Sequence, residues 1–358
     1  MSNIKLGNKS LKKPVIQGGM GIGVSRSSIA GAVAKEGGMG VISAAQIGYD
    51  SPKFKMNPEE ANLQTLPIEI KKAKELSMGN GMIAVNIMSV TQLYGTYVKV
   101  AVEAGADAII SGAGLPLNLP EFVSNSETKI APVVSSMKGA DLMMRIWDRK
   151  YGRTADFLIM ESPFSGGHQG YKRDELKDIE AANRAFEDDV KQVIESKKIY
   201  EKKYNRIIPL FIAGGIFSRN DVKHVIALGA DGVQVGTRFI ATKECDASEI
   251  FKKTFVKSTS DDLIIIESPV GMPARVIRNS FVERMIHGDE KITYCYNCLK
   301  ACNPSTAKYC ISQALINAVQ GDTDNGLIFS STRVGEISEI STVKEVMDDL
   351  YPNIKNDE

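Results

Sequence analysis

The feature that most constrains the fold is a regular alternation of short apolar runs with helix-like segments. Each run is rich in valine and isoleucine and ends in glycine or a small polar residue, which is typical of strands in βαβ units. The run at 208–213 is apolar almost throughout, which indicates burial on both faces, as in a parallel sheet covered by helices. Eight strands are predicted in this way, at 14–17, 40–44, 82–87, 108–111, 131–135, 157–160, 209–213 and 232–235.

Eight parallel strands favour closure into a (β/α)8 barrel, the TIM barrel, over an open sheet. An open doubly wound sheet would carry a glycine fingerprint after its first strand and an acidic residue roughly twenty positions later. The segment Gly18-Gly19-Met20-Gly21-Ile22-Gly23 matches that fingerprint only in a forced register, and no suitable acid follows. We therefore predict an α/β fold in which one TIM barrel carries a C-terminal extension packed on it.

The domain boundaries follow from the last predicted strand and from the change of pattern beyond it. We expect the barrel at 1–280 and a cysteine-containing helical extension at 281–358, where Thr342-x-x-Glu345 predicts a helix start. Two longer inserts, at 48–67 and 178–203, follow predicted strands. Because the loops after strands form the catalytic face of such a barrel, we interpret the first insert, which contains three prolines, as a candidate lid. The second is charged and predicts a helix.

Composition excludes several classes of protein. The net charge is +1, so no long-range electrostatic field indicates nucleic acid or a membrane surface as a partner. No apolar run approaches the roughly 18 residues of a membrane span, and the glycines after the N-terminal lysines do not fit a signal peptide. Five cysteines are an odd number for a disulfide scaffold. A reduced cytoplasm is the expected location.

Two glycine turns at predicted strand ends indicate a phosphate site. Ala213-Gly214-Gly215-Ile216 follows the seventh strand and Gly236-Thr237 follows the eighth, the positions at which barrels commonly bind phosphate. Glycine lets backbone amides approach a phosphate closely, and a helix beginning near Ser218 would add the positive end of its dipole. One Gly-Gly pair is more often a tight turn, but two adjacent turns favour phosphate binding.

Small and amide-bearing residues at other strand ends predict a flat ligand beside that phosphate. Gly19 and Met20 follow the first strand, Asn86 ends the third, and Gly112-Ala113-Gly114 follows the fourth. Small residues let a ring lie against the backbone. Each motif alone is more often a plain turn, but together they describe a broad planar ligand with a phosphate tail.

His168 is the predicted catalytic residue. It lies in the loop Ser165-Gly166-Gly167-His168-Gln169-Gly170, just past the sixth strand, and a histidine titrates near neutral pH, which suits proton transfer at carbon. The other histidines, His224 and His287, are interpreted as solvated or packing residues. Glu161, at the end of the sixth strand, has three candidate roles: orienting His168, contacting the cofactor, or bonding a neighbouring loop.

Four of the five cysteines lie close together in the extension, as Cys295-x-x-Cys298-x-x-x-Cys302 and Cys310. Four thiolates can in principle hold zinc or an iron–sulfur cluster. Their spacing matches neither a standard zinc ribbon nor a usual ferredoxin, so we interpret them as reduced packing residues and predict no metal site. Cys310 falls in a predicted helix at 305–319.

Taken in order, these motifs resemble the nitronate monooxygenase (2-nitropropane dioxygenase) family, which includes enoyl-acyl-carrier-protein reductase II. The motifs that carry the resemblance are Gln17-Gly18-Gly19-Met20, Asn86-Ile87-Met88, Ser111-Gly112-Ala113-Gly114, Gly166-Gly167-His168-Gln169-Gly170, Ala213-Gly214-Gly215-Ile216 and Gly236-Thr237-Arg238-Phe239. The family's usual Glu-Ala-Gly-Gly-His is replaced here by Phe164-Ser165-Gly166-Gly167-His168. That departure bears on the substrate more than on the cofactor.

The resemblance implies a TIM barrel, non-covalently bound flavin mononucleotide (FMN), and His168 close to the flavin. It implies that Gly19 and Met20 line the flavin ring. The remaining cofactor-binding residues expected from it are Asn86, Gly112, Ala113 and Gly114 at the ring and Gly214, Gly215, Gly236 and Thr237 at the phosphate. From their places at strand ends, Ala213 and Glu161 are further cofactor-binding candidates.

Two activities fit this resemblance, and a third hypothesis stands apart from it. In nitronate oxidation, His168 would handle the α-proton and oxygen would reoxidise the flavin. In enoyl reduction, NAD(P)H would reduce the flavin and an acid would supply the α-proton. The third hypothesis is a flavin- or metal-binding sensor module whose cysteine tail is the working part. The expected partners are a small-molecule substrate, either a nitronate or an enoyl thioester, with NAD(P)H as a further candidate and a homodimer as the candidate assembly.

Overall fold

The computed structural model describes residues 3–288 and 290–351. Eight strands form a closed parallel barrel, numbered here in chain order: β1 (Val15–Gln17), β2 (Met39–Ser43), β3 (Met82–Asn86), β4 (Ala108–Ser111), β5 (Lys129–Val134), β6 (Leu158–Glu161), β7 (Leu210–Ala213) and β8 (Gly232–Val235). Strand β8 pairs with β1, with Val233 opposite Val15, and this pairing closes the sheet. The predicted TIM barrel is confirmed, and every strand lies within two residues of its predicted bounds.

Helices surround the barrel and continue beyond it. They are α1 (Ser27–Lys35), α2 (Pro58–Leu76), α3 (Tyr94–Glu103), α4 (Leu119–Phe122), α5 (Met137–Tyr151), α6 (Ile179–Tyr204), α7 (Arg219–Ala227), α8 (Thr237–Ile240), α9 (Glu249–Lys257), α10 (Ser280–His287), α11 (Ile311–Gln320) and α12 (Val343–Leu350). Short 3-10 turns lie at Glu175–Lys177, Ser260–Asp262, Thr323–Asn325 and Val334–Glu336. Within the described ranges, none of the helices combines the length and the apolar character that crossing a membrane requires.

The apolar core has two layers, because the strands are buried on both faces. Inside the barrel, Ile16, Met39 and Phe211 pack together with other inward-facing strand residues. Leu11, from an N-terminal hairpin formed by Ile4–Leu6 and Lys9–Leu11, belongs to the same inner cluster. Outside the barrel, the opposite strand faces pack against the helices. The end of the barrel at the carboxyl ends of the strands is the expected position of a functional site.

The start of α1 shows a long-range cap that its own sequence does not provide. Its N-cap residue, Arg26, makes no side-chain capping bond. Instead, the Asp246 carboxylate accepts the amides of Arg26 at 3.0 Å, Ser28 at 3.2 Å and Ile29 at 3.2 Å. An acidic group at a helix N-terminus satisfies amides that have no partner within the helix, so the helix start depends on a residue after β8.

The two inserts are both part of the packed fold. The charged insert forms α6, capped by Asp178, whose side chain accepts from Ala181 N, as predicted. The proline-rich insert runs into α2, and Pro67 lies inside that helix. Phe54 is buried, and Asn62 Oδ1 accepts the Gly48 amide at 2.8 Å. The segment interpreted as a lid is therefore a packed wall in this structure.

The part of the chain after β8 is joined to the barrel by strand pairing. Strand Pro273–Ile277 pairs on one side with Leu263–Glu267 and on the other with Gly167–His168. The capping box predicted at Thr342 and Glu345 is present at the start of α12. Helix α11, however, begins at Ile311 rather than at 305, because 303–307 forms a separate turn closed by the Asn303 carbonyl.

Candidate active site

A cavity of about 670 Å³ lies at the carboxyl ends of the barrel strands. Every site residue predicted from the sequence contributes to its wall: Gly19, Met20, Asn86, Gly112, Ala113, Gly114, Glu161, His168, Ala213, Gly214, Gly215, Gly236 and Thr237. A large concave site at this face is the usual location of function in a TIM barrel. The structure thus brings together residues that are spread over more than half of the sequence.

The turn after β7 can be built only from glycine. Gly214 and Gly215 have φ angles of 90° and 73°, which side chains with a Cβ rarely adopt. A Cβ on Gly214 would lie 2.6 Å from Ser162 Oγ and 2.9 Å from the Ser165 amide nitrogen, which is too close for any such atom. The backbone itself therefore forms this part of the wall, as a site for a phosphate requires.

The helix start that we expected to face the phosphate is partly occupied by its own capping residues. The N-terminus of α7 carries a capping box, in which Asp221 Oδ2 accepts the amide of Phe217 at 3.0 Å and that of Ser218 at 2.6 Å. Ser218 does not line the cavity, whereas Thr237 at the start of α8 does. The contribution assigned to α7 is therefore corrected, and the turn before α8 is the better placed of the two.

His168 is held by two contacts that come from later in the chain. Its Nε2 lies 2.8 Å from Ser268 Oγ, and its ring packs edge-on to Phe329 with centroids 5.1 Å apart. Its backbone pairs with Ala274. Burial lowers the pKa of His168 to about 4, because an enclosed site disfavours the charged ring. The imidazole is therefore neutral near pH 7.

The loop before His168 is positioned by a buried arginine. Arg275 is 4% exposed, and its Nη1 donates to the Pro163 carbonyl at 2.8 Å and to the Ser165 carbonyl. Burial lowers the pKa of Arg275 to about 10, so the guanidinium stays charged at neutral pH. Because backbone carbonyls are its partners, its charge-assisted hydrogen bonds fix the course of the loop.

Glu161 faces the same cavity as His168. Burial raises the pKa of its carboxyl group to about 7, so neutral and ionised forms coexist near neutral pH. Its backbone carbonyl accepts a hydrogen bond from Tyr171 Oη at 2.9 Å. His168 Nε2 pairs with Ser268, and the three candidate roles of Glu161 stay predictions.

The wall opposite the barrel comes from the extension and was missed by sequence reasoning. It is mostly apolar, and its apolar members include Cys298, Leu299, Ile311, Leu315, Leu327 and Phe329. Ile311 and Leu315 are four residues apart on α11, and this spacing in the sequence indicates an apolar helix face. Ser268 and Ser331 were missed as well. Ser331 N donates to Thr237 Oγ1 at 3.0 Å, which ties the extension to the turn after β8.

The lining of the cavity has the small residues and exposed backbone that a flavin nucleotide would need. The glycine turn after β7 and the turn Gly236-Thr237 would hold its phosphate, while Gly19, Asn86 and Gly112 would lie against its ring. Among residues 3–288 and 290–351, no three histidine, cysteine or acidic side chains are arranged to hold a metal ion. Cys295 is exposed and the other three clustered cysteines are half-buried.

Comparisons with known proteins agree with this geometry. The family model described as nitronate monooxygenase matches residues 3–353. A probable nitronate monooxygenase of Staphylococcus saprophyticus is 25% identical over 307 residues, which cover 79% of this chain and 80% of that protein. A solved structure of FabK from Thermotoga maritima is 27% identical, with a TM-score of 0.71 over 95% of this chain and 92% of that one. A nitroalkane oxidase structure from Streptomyces ansochromogenes, 20% identical with a TM-score of 0.69 and covering 95% of each chain, shares the fold.

Proposed function

The chain belongs to the nitronate monooxygenase family of flavin-dependent oxidoreductases, and we propose that it uses FMN to oxidise small alkyl nitronates, with His168 as the residue that handles the proton. The observation that carries this proposal is the position of His168, which lines the same cavity as the two glycine turns. A neutral base suits a carbon acid next to a nitro group.

FMN would be held mainly by backbone and small side chains. Gly214, Gly215, Gly236 and Thr237 are the proposed phosphate contacts, and the proposed ring contacts are Gly19, Met20, Asn86, Gly112, Ala113 and Gly114. Ala213 and Glu161 complete the proposed set. When bound, FMN supplies the redox chemistry, taking electrons from the substrate and passing them to oxygen.

The protein's own part in the reaction is proton transfer and exclusion of water. The unprotonated nitrogen of His168 would accept the α-proton of a nitroalkane or hold a nitronate in place. Ser268 accepts the Val270 amide at 3.3 Å, which fixes its hydroxyl beside His168 Nε2. Arg275 holds the loop before His168 in position at the cavity. Together these contacts preorganise the ring before substrate arrives.

Enoyl reduction is the second candidate, and the apolar extension wall favours it. Leu299, Leu315 and Phe329 line a side of the cavity that a small nitronate does not need. An enoyl thioester would present an acyl chain to such a wall. A carboxyl group with a pKa of about 7, like that of Glu161, could then supply a proton. This activity would require NAD(P)H as the electron donor.

Rapid mixing without oxygen tests the proposal. Purified protein is first examined for flavin absorption, and FMN is identified after release from the protein. The oxidised protein is then mixed with propyl nitronate or with NAD(P)H. We expect fast bleaching by the nitronate and slow bleaching by NAD(P)H. Fast bleaching by NAD(P)H, followed by turnover of a crotonyl thioester and no response to nitronates, would establish the second candidate instead. Failure to bind added FMN would overturn both.

A further inference from the structure

A short segment of the extension, residues 330–333, crosses three loops at the carboxyl ends of the barrel strands. We name this segment the strap. Its first residue is fixed by Ser330 N, which donates to the Arg275 carbonyl at 3.3 Å. The strap then donates hydrogen bonds to all three loops: Thr332 N to the Phe164 carbonyl after β6 at 3.2 Å, Arg333 Nη1 to the Gly215 carbonyl after β7 at 3.0 Å, and Ser331 N to Thr237 Oγ1 after β8 at 3.0 Å. These are the loops that border the proposed phosphate site.

The turn after β7 has amide groups that are not used within the protein. In the described part of the chain, neither Gly215 N nor Ile216 N donates a hydrogen bond to another protein group. Both residues line the cavity. Amides in a packed fold normally have a partner, and successive unpaired amides form a concave site that suits an anion. The proposed phosphate contact therefore depends on where these two amides point.

The direction of each amide is set by the carbonyl of the same peptide group. In a trans peptide the C=O and the N–H point in opposite directions. Ser162 Oγ donates to the Gly214 carbonyl at 3.1 Å, and Arg333 Nη1 holds the Gly215 carbonyl. Arg333 does not line the cavity, whereas Ile216 does. The bond from Arg333 therefore directs the Ile216 amide away from the strap and towards the cavity.

A turn made of glycine needs such a contact to keep one orientation. Gly214 and Gly215 have φ angles of 90° and 73°, and glycine adopts positive and negative φ about equally readily, so these peptide groups rotate at little cost. Arg333 is itself fixed, because Nη1 also donates to Asp221 Oδ1 at 3.0 Å and Nη2 donates to Glu336 Oε2 at 2.8 Å. Since two carboxylates offset its charge, Arg333 acts through the position of the turn rather than by attracting an anion from a distance.

The strap also orients a hydroxyl group in the turn after β8. A threonine hydroxyl has one proton to donate and two lone pairs that accept. Thr237 Oγ1 accepts the Ser331 amide, and in the described residues its own proton has no protein acceptor. Thr237 lines the cavity, so this proton is free for a ligand there.

We propose that the strap, through Arg333 and the Ser331 amide, positions the backbone amides and the hydroxyl group that bind the phosphate of the flavin nucleotide. This inference rests on the proposed FMN site and deepens it. Arg333 is a positioning residue, because it contacts the turn and not the phosphate. The barrel wall still supplies the phosphate contacts, and the extension fixes their direction.

Binding of FMN and of riboflavin to the full-length protein, after removal of any bound flavin, tests the proposal. Riboflavin has the same ring system and lacks the phosphate, so the ratio of the two dissociation constants isolates the phosphate contact. We expect Arg333→Met to weaken FMN binding about 10–100-fold, the effect of losing one hydrogen bond to a charged group, and to leave riboflavin binding within about twofold. Arg333→Lys should weaken FMN binding less, because lysine keeps the charge but lacks the planar fork. Thr237→Val should also lower the affinity for FMN alone.

Arg238→Met is the matched control. The Arg238 guanidinium lies over the Phe217 ring, 4.8 Å from its centroid, as that of Arg333 does at 5.8 Å, and it pairs with Asp349 at 2.7 Å. Its carbonyl partner, however, is Phe217 rather than Gly215. This variant should keep the wild-type ratio of the two dissociation constants.

The proposal is overturned if Arg333→Met weakens the binding of FMN and riboflavin by the same factor, which indicates general damage to the fold. It is also overturned if Arg333→Met changes the ratio no more than Arg238→Met does. A wild-type chain that binds both flavins equally well overturns the phosphate site and leaves a flavin site, whereas a chain that binds neither overturns the proposed function as well.

Discussion

The two walls of the active-site cavity are built in different ways. The barrel wall consists of strand ends and glycine turns such as Gly214-Gly215, whose positions are set by the parallel sheet behind them. The extension wall consists of α11 and irregular chain, and it is held in place by backbone bonds such as that of Ser331 N to Thr237 Oγ1 and by side-chain contacts such as that of Phe329 with His168. The first wall suits a ligand that is common to many enzymes. The second contributes apolar side chains to the cavity, and the choice of substrate is expected to depend on it.

His168 is the residue at which the two walls meet, and its replacement should have the largest effect. We expect His168→Asn to lower kcat by about 10²–10⁴-fold, the usual contribution of a positioned acid or base. FMN affinity should change little, because the proposed phosphate contacts lie elsewhere in the barrel. Steady-state turnover of a nitroalkane and an FMN titration measure the two effects separately.

His224→Asn is the control for this experiment. His224 is exposed and pairs with Glu187 at 3.0 Å on the outside of the barrel. The His224→Asn variant should turn over substrate at the wild-type rate. If His168→Asn keeps kcat within about threefold of that control, a range too small for a lost proton carrier, His168 is not the proton-handling residue.

The next largest effect should come from the barrel wall alone. Gly214→Ala places a Cβ 2.6 Å from Ser162 Oγ at a φ of 90°, so the turn must shift. We expect FMN to bind about a hundredfold more weakly, since a displaced backbone loses several phosphate hydrogen bonds worth about 1 kcal/mol each. Fluorescence titration with FMN measures this change.

Gly152→Ala separates local crowding from backbone strain. Gly152 also has a positive φ, 59°, but a Cβ there would meet no atom within 4 Å. The Gly152→Ala variant should lose about 1–2 kcal/mol of folding stability and keep the wild-type FMN affinity. Equal FMN affinity in the two variants would show that the turn after β7 does not hold the phosphate.

The same contrast explains what the sequence could predict. The βα alternation and the glycine turns depend on backbone conformation and short-range pattern, so both the barrel and residues such as Asn86 and Gly236 were predicted at the cavity. Ser268 and Phe329 reach His168 from 100 and 161 positions along the chain. No local pattern encodes such contacts. The Asp246 cap of α1 was missed for the same reason.

The pH dependence of stability should distinguish the two titratable groups in the cavity of the FMN-free protein. The folded-state pKa of Glu161 is about 7, above its ordinary value of 4.5. Between these values the unfolded chain loses a proton that the folded chain keeps, so this group lowers stability as pH rises. The folded-state pKa of His168 is about 4, below its ordinary value of 6.5. The contribution of His168 to the free energy of unfolding therefore increases as pH rises from 4 to 6.5.

The contributions of Glu161 and His168 to stability change in opposite directions with pH, so they offset each other between about pH 4.5 and 6.5 in the wild-type chain. Relative to wild type, Glu161→Gln should become more stable as pH rises through this window, and His168→Asn less stable. Each difference is at most about 1.4 kcal/mol per pH unit, the value for one proton. Denaturant unfolding at several pH values measures it. Parallel curves for both variants and wild type would show that these groups do not have the shifted pKa values.

The smallest effect should come from the extension wall. Phe329→Leu removes the edge-on contact with the His168 ring, which is worth about 0.5–1.5 kcal/mol. We expect KM for the substrate to rise by a few fold, with kcat lowered slightly and FMN affinity unchanged, because the flavin is proposed to lie against the barrel. Phe157→Leu is the control, since Phe157 packs edge-on to Phe211 inside the barrel, with centroids 5.8 Å apart. It should lower thermal stability and leave KM unchanged. If Phe329→Leu weakens FMN binding as much as it raises KM, the extension wall contacts the cofactor too. The assignment of FMN to the barrel wall and of substrate to the extension wall would then be wrong.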